Sequence, residues 1–416
     1  MTDQPTTTAT RATSALFTGA ALNSAVVATT STVAALVTVD ALGPAWGGVP
    51  GTAAVIGTGL GALLVTALTH RAGTRAALRL GYVASTLGAA VGAVAVPLAN
   101  VVLLVGGMLL IGLGNAAAQL SRYAAAELVP ARRRGFAIGL IVWAGTVGAV
   151  GGPLLLLPSA RLAETLGRPA LSGAFLLSVP AGLLAALVVS GLRTARRPRS
   201  TFRVPVRTIV RSPAGRDGLA VMVTGQVVMA AVMTSVPVQL HLHHHGLDVV
   251  GLVLAAHTLG MFVLSPVTGR LADRLGPVPV MVVGLVTLLT STVVAASGAL
   301  LPQAIGLFVL GYGWNLCFVG GSASLAVGLP VEQRADVEGS VEAVVWISAA
   351  AGTLTSTIVL ALAGWPALTL AAGALVVVPG LLLLRDRQRT APGTGAGARA
   401  ASPAGATPRS SEGGRR

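Results

Sequence analysis

The stretch GRLADRLG, at residues 269–276, lies between two long apolar runs of this 416-residue chain. A shift of 203 residues brings its second half, DRLG, onto HRAG at residues 70–73, which also lies between two apolar runs. The same shift aligns Trp143 with Trp346. Self-similarity at a fixed long spacing indicates internal duplication. The sequence therefore predicts two related halves, in which short turns connect apolar segments.

The composition predicts that these segments lie in a lipid bilayer. Hydrophobic residues make up 54% of the chain and charged residues only 10%, whereas about a quarter of an ordinary soluble domain is charged. Apolar runs of about 17–25 residues can cross a bilayer as helices, and these runs lack the alternation of a membrane β-barrel. We predict an all-α integral membrane protein with two pseudo-symmetric six-helix bundles. The twelve transmembrane helices are expected at 14–39, 52–68, 76–98, 101–119, 135–157, 171–192, 219–240, 249–267, 278–300, 305–325, 341–362 and 368–384.

The basic residues predict how the spans are oriented. All 28 are arginines, and with the N-terminus inside the cell 26 of them fall in cytoplasmic segments, leaving Arg161 and Arg168 outside. Segments rich in arginine stay in the cytoplasm. We therefore expect a multi-pass protein of the cytoplasmic membrane with both termini inside. The net charge of +15 then reflects topology and contact with anionic membrane lipids, and we expect no nucleic acid partner.

These patterns divide the chain into five segments. The region between the sixth and seventh spans is long and basic, and the C-terminal residues are rich in Ala, Gly, Pro, Ser and Arg, a composition that does not form a packed core. We predict a cytoplasmic N-terminus at 1–13, a bundle at 14–192, a linker at 193–218, a second bundle at 219–384 and a disordered cytoplasmic tail at 385–416.

The turn motif carries a family resemblance. Residues 269–276 resemble the G-x-L-A-D-R-x-G signature of the major facilitator superfamily, and the resemblance covers the chain except for its tail. The first-half copy keeps only part of the signature, because a histidine replaces the aspartate. The resemblance implies a transporter of a small-molecule substrate, and we expect a monomer that needs no cofactor and no metal. The conformational motif comprises Gly269, Asp273, Arg274, Gly276, His70, Arg71 and Gly73.

The fifth span carries a second motif. Its Gly139, Gly148, Gly152 and Pro153 are similar to the glycine row of the family's antiporter branch, which favours export. Glycines at such spacings also let two membrane helices approach closely, so ordinary helix packing is the alternative. In the fourth span Met108 stands where drug exporters of the family often carry an arginine for proton coupling. Coupling must then depend on other residues.

Four carboxamides fall on the first, fourth, seventh and tenth spans, which by the resemblance line the transport cavity. They form two repeat-related pairs, aligned by shifts of 203 and 200 residues. Amides both donate and accept hydrogen bonds, which suits recognition of a polar group, whereas hydrogen bonding between helices is the alternative. The cavity candidates are the pairs Asn23 and Gln226, Asn115 and Asn315, and the aromatic pair Trp143 and Trp346.

Two titratable residues are candidates for carrying a coupling proton. His257 lies near the middle of the eighth span, and Glu342 lies near the start of the eleventh. Titratable groups within the membrane often mark proton pathways, although a hydrogen-bonded structural histidine and an acid near a helix N-terminus are the alternatives. Four histidines at residues 241–245 end the seventh span. Metal binding and sensing of external pH are the two roles that such a cluster suggests, but no carboxylate or cysteine pattern completes a metal site.

The sequence lacks the motifs of common enzymes, including H-E-x-x-H and the phosphate-binding G-x-x-x-x-G-K-[ST]. We therefore predict a transporter driven by an ion gradient, not an enzyme. The expected function is secondary active, proton-coupled export of a small, largely apolar organic compound such as a drug or secreted metabolite. The alternatives are a proton-coupled uptake symporter for a neutral polar solute and a membrane sensor that does not transport.

Overall fold

The computed structural model describes residues 4–128, 134–192, 209–327 and 331–390, and within these ranges it contains helices and turns but no β-strand. Most of the predicted linker and tail lie outside the described ranges. Short 3-10 helices occupy Pro44–Trp46 and Ala170–Ser172. The α-helices are α1 Gln4–Leu42, α2 Val49–Ala72, α3 Thr74–Ala95, α4 Val101–Glu127, α5 Arg134–Leu154, α6 Leu156–Thr165, α7 Gly173–Ser190, α8 Pro213–Leu242, α9 Leu247–Phe262, α10 Ser265–Leu275, α11 Pro277–Ala295, α12 Leu300–Val327, α13 Val331–Ala374 and α14 Val377–Thr390.

These helices account for the predicted spans. In the described part of the chain, ten helical segments are long and apolar enough to cross a membrane, and a bent pair adds an eleventh. One of the ten, Val344–Arg385, is 42 residues long and covers the last two predicted spans. Its helix breaks at Gly364, whose φ is 79°. The prediction of an all-helical integral membrane fold is confirmed.

The fifth predicted span, residues 135–157, consists of two helices. The chain bends by 52° between α5 and α6, directly after Pro153. Proline has no backbone N–H to donate within a helix, and its ring crowds the preceding turn. The bend therefore follows from the proline of the glycine row, and α6 continues as a separate ten-residue helix.

Two glycine turns show the duplication in the backbone itself. Gly73 has φ 88° and ψ 160°, and Gly276, 203 residues later, has φ 82° and ψ 169°. Each glycine ends one helix and begins the next. This conformation is open almost only to glycine, which explains why the end of the signature keeps that residue. The rest of the signature differs from the expected turn, because residues 269–275 continue α10 as helix.

The two halves repeat the same helix packing. In the first half α1 contacts α4, α5 and α7, while α2 and α3 contact α4. In the second half α8 contacts α12, α13 and α14, while α9 and α11 contact α12. The contacts of α1 and α4 in one half thus recur for α8 and α12 in the other, as expected for parallel repeats related by an axis along the membrane normal.

The halves meet through α2 with α13 and through α5 with α9. Thr357 of α13 accepts a hydrogen bond from Gly48 N at 3.1 Å and donates one to Ala45 O at 3.1 Å. His241 Nε2 lies 2.7 Å from Asp40 Oδ1, which joins the end of α8 to the end of α1. We call this membrane face the Asp40 side. The span Pro44–Thr69 separates it from Gly73, so Gly73 and Gly276 mark the opposite face, the Gly73 side.

Candidate functional site

A cavity of about 290 Å³ lies between the two halves. Ala20 and Ser24 of α1 face it from one half, and Gln226 and Met229 of α8 from the other. Arg122, near the end of α4, also lines it. These positions lie towards the Gly73 side, whereas the hydrogen bonds between the halves lie on the Asp40 side. The protein is therefore closed on the Asp40 side and has a central cavity towards the Gly73 side.

Aromatic rings form the wall that the second half contributes. Trp314 and Phe318 of α12 stack with ring centroids 5.1 Å apart and planes 22° apart, and Phe262 meets Trp314 edge-on at 6.0 Å. Trp314 Nε1 donates a hydrogen bond to Gln226 Oε1 at 2.7 Å. Trp346 completes this wall. The result is an aromatic, largely apolar surface that faces the cavity.

The wall from the first half is smaller and more polar. Gly145 and Ala118 contribute little side-chain volume, and Gln119, Thr146 and Arg122 contribute polar groups. The guanidinium of Arg122 is a donor-only cation. The cavity therefore has one aromatic face and one face with hydrogen-bond donors and open space.

A second cavity, of about 200 Å³, continues the path towards the Asp40 side. Ala149 lines both cavities, and Ser31, Thr32 and Thr258 supply hydroxyl groups to the second. The two cavities lie in sequence between the halves. Such an arrangement suits a molecule that moves from one face of the membrane to the other.

The four predicted carboxamides do not share one location. Gln226 lines the cavity, but Asn115 donates to Thr58 Oγ1 at 3.3 Å and Asn315 donates to Ser265 Oγ at 2.7 Å, so both join helices within one half. Both amide atoms of Asn23 are buried without a hydrogen-bond partner among the described residues. In this conformation three of the four amide side chains therefore lie inside one half and do not line the cavity.

The two predicted tryptophans also separate. Trp346 lines the cavity, whereas Trp143 is 61% exposed and contacts Phe17, with ring centroids 6.3 Å apart. Sequence reasoning missed Trp314, the tryptophan at the centre of the aromatic wall. The signal was available, since Trp314 directly precedes Asn315 on the tenth span, but it has no aromatic counterpart in the first half.

His257 is buried between α9 and α12. Its Nδ1 lies 2.8 Å from Leu307 O, and because a carbonyl only accepts, Nδ1 carries the hydrogen. The other ring nitrogen, Nε2, has no partner among the described residues, and the residue does not line the cavity. Glu342 lies on α13, but its side chain lies outside the part that the structure describes.

The histidine cluster lies on the Asp40 side. His241, His244 and His245 border a surface hollow together with Asp40, and His243 Nδ1 donates to Gln239 O at 2.9 Å. Among the described residues, no group of three or more His, Cys, Asp or Glu side chains is arranged to hold a metal. Within the cluster, His241 forms the link between the halves through Asp40.

In the conformational motif, Gly73 and Gly276 form the turns between helices, and the other described residues make few contacts. Asp273 and Arg274 are exposed, and neither has an ion pair with a described residue. Gly269 has open space beside it, and Arg270 donates to Pro266 O at 3.2 Å. Arg71 is exposed, and the side chain of His70 lies outside the described set. The charged residues of the motif are therefore directed to the surface in this conformation.

The glycine row of the fifth span packs on α1. A side chain at Gly148 would meet Ala21 O, and one at Gly152 would lie 2.8 Å from Ala25 O. Pro153 presents its carbonyl to Gly251 of α9, across the boundary between the halves. Gly139 lies on α5, with surroundings outside the described set. The described part of the row thus supports close helix contact.

Known sequences and structures agree with this architecture. The family model of the Major Facilitator Superfamily matches residues 16–248 and 219–411. The chain is 33% identical over 399 residues to the Uncharacterized MFS-type transporter YdeG of Bacillus subtilis (strain 168), covering 90% of each chain. It is 27% identical over 341 residues to the Riboflavin transporter RfnT of Brucella anthropi, covering 80% of this chain and 85% of that protein.

Among solved structures, the inward open conformation of the xylose transporter XylE from E. coli superposes with a TM-score of 0.68 at 17% identity. The match covers 90% of this chain and 95% of that one. At this identity the likeness concerns the fold. The family model and the relatives identify this chain as a transporter, not an enzyme, that belongs to the major facilitator superfamily.

Proposed function

We propose that the protein is a secondary active transporter that exports a small, largely apolar organic compound in exchange for protons. The cavity between the halves is the observation that carries this proposal. Its volume of about 290 Å³ lies just below the roughly 300–1,000 Å³ typical of small-molecule sites. Its aromatic and thioether side chains suit an apolar body, and Gln119 and Arg122 suit a polar end.

Export is favoured by the glycine row of the fifth span, which is similar to that of antiporters. The likeness to the riboflavin transporter of Brucella anthropi adds flavins to the candidate cargoes. Everted membrane vesicles test the direction directly. We expect riboflavin, or a member of a panel of aromatic dyes, to accumulate when the vesicle interior is acidified, and a protonophore to abolish the accumulation. Proton-driven release would support uptake, and binding without flux would support a sensor.

We further propose that both termini are cytoplasmic, so that the Gly73 side faces the cytoplasm. The distribution of the arginines supports this orientation, because positive segments are retained inside. Reporter fusions after Arg199 and in the C-terminal tail should be active only as cytoplasmic reporters. Fusions near Gly167 and Gly246 should be active only as external reporters. A cytoplasmic signal at Gly246 would reverse the assignment of the two faces.

For proton coupling we propose His257, with Glu342 as the competing candidate. In support, His257 keeps one ring nitrogen without a partner among the described residues, and it lies within the membrane span Leu247–Leu275. One charge crossing a potential of 100 mV is worth about 2.3 kcal/mol, which corresponds to roughly a fifty-fold concentration gradient. A single proton-binding residue is therefore sufficient to drive a concentration gradient of this size.

We expect His257→Asn to abolish uphill transport in everted vesicles while downhill exchange of substrate persists. Asparagine can still donate to Leu307 O but cannot carry the proton, so the variant separates coupling from folding. Glu342→Gln is the matched variant at the second site. Uphill transport that survives His257→Asn but fails in Glu342→Gln would assign the proton to Glu342, and survival in both would contradict coupling through either residue.

A further inference from the structure

We propose that the cavity selects flat aromatic molecules that carry a hydrogen-bond acceptor, and that Trp314 is the residue that determines this specificity. The proposal rests on the proposed function, in which this cavity holds the transported compound. It adds the chemical class of that compound and the surface that recognises it.

The first step is that Trp314 is held in one orientation. Its Nε1 is bonded to Gln226 Oε1 at 2.7 Å, Phe318 stacks on it at 5.1 Å, and Phe262 meets it edge-on at 6.0 Å. Trp314 and Phe318 are four residues apart on α12, so their side chains share one helix face. Both are partly exposed and line the cavity. A ring fixed in this way offers a binding surface that needs no further ordering when a ligand arrives.

The second step is that the facing wall leaves room for a flat body. Across the cavity Ala20, Ala118 and Gly145 carry a methyl group or no side chain. A planar ring system can lie between these small residues and the aromatic wall. A saturated ring system of the same carbon count is thicker, and it loses the offset-stacked geometry that aromatic pairs prefer.

The third step concerns the polar end of the ligand. Gln226 uses its carbonyl oxygen for Trp314, which leaves its amide hydrogens to face the cavity. Gln119 adds a second amide to the lining of the cavity. A carbonyl or carboxylate on the ring edge therefore meets amide donors.

Equilibrium binding to the purified full chain in lipid nanodiscs tests the proposal. The probes are anthracene-2-carboxamide and its perhydro counterpart, which has the same carbon skeleton but is not flat. We expect the aromatic amide to bind about tenfold more tightly than the saturated one. Equal affinities for the two probes, or binding of neither, would overturn the proposed selectivity. This comparison uses the wild-type protein, so it does not depend on the folding of any variant.

Variants assign the selectivity to one side chain. Trp314→Leu should remove the preference for the aromatic probe, and Trp314→Phe, which keeps a ring but loses the bond to Gln226, should keep part of it. Trp143→Leu is the matched control, because Trp143 lies outside the cavity. An unchanged preference in Trp314→Leu would contradict the role of Trp314.

Transport assays separate the two proposals. Selective binding without flux would contradict the proposed function but not the selectivity. Flux of both probes with equal affinity would contradict the selectivity but not the proposed function.

Discussion

Replacement of Gly48 by leucine is expected to reduce transport to below a tenth of the wild-type rate without loss of folded protein. A side chain at Gly48 would meet Thr353 O of α13 and would lie 2.9 Å from Thr357 Oγ1. Overpacking costs roughly 1–3 kcal/mol, and each 1.4 kcal/mol changes a conformational population about tenfold. Because α2 and α13 belong to different halves, the cost falls on the conformation closed on the Asp40 side and not on either half alone.

Gly59→Leu is the control for this prediction. Gly59 lies on the same span, is exposed, and would place its new side chain in open space. It should transport at close to the wild-type rate. Equal loss in both variants would mean that α2 tolerates no bulk anywhere, and full activity in Gly48→Leu would mean that the contact with Thr353 is not needed for transport.

The conformational origin of the loss can be measured separately. The only cysteine of the chain, Cys317, is buried, so Cys317→Ala gives a background without native thiols. Ser31→Cys then reports access to the second cavity, which Ser31 lines. In the Gly48→Leu variant, a membrane-impermeant thiol reagent should label this site faster from the Asp40 side. Unchanged labelling would remove the explanation by conformational trapping.

The sequence predicted the helical elements well because long apolar runs and arginine-rich turns are local signals. The 203-residue shift even identified Gly73 and Gly276, whose equivalent backbone conformations appear in the structure. The size of the bend after Pro153 was harder to predict. A proline in a membrane helix permits a bend, but its size depends on the helices packed around it.

The site was harder to predict than the fold. A helix that is apolar all around gives no pattern that separates the face towards the cavity from the face towards its neighbours. Asn115 and Gln226 were equally good cavity candidates by position, yet one bonds to Thr58 within its half while the other lines the cavity. Trp314 was not predicted because it has no aromatic repeat partner in the first half. A binding site for an asymmetric molecule breaks the symmetry of the halves.

Added bulk in the glycine row of the fifth span is expected to prevent folding. Gly148→Leu is expected to reduce the yield of folded protein to less than about a tenth, because the new side chain would meet Ala21 O and lie 2.9 Å from Ala25 N. These are backbone atoms of α1, which cannot move aside as a flexible side chain would, and close approach through small residues is what holds membrane helices together. Fluorescence-detected size-exclusion chromatography in mild detergent measures the yield.

Gly151→Leu is the matched control, since Gly151 lies on the same helix with nothing within 4 Å of its added carbon. It should fold and transport normally.

Substitutions in the glycine row also separate its two interpretations, helix packing and a direct role in antiport. If the glycines serve packing within the first half, Gly148→Leu loses folded protein, and the milder Gly152→Ala, with its carbon 2.8 Å from Ala25 O, loses thermal stability and transport together. A Gly152→Ala protein that is as stable as the wild type but cannot exchange substrate for protons would instead assign the row to antiport itself.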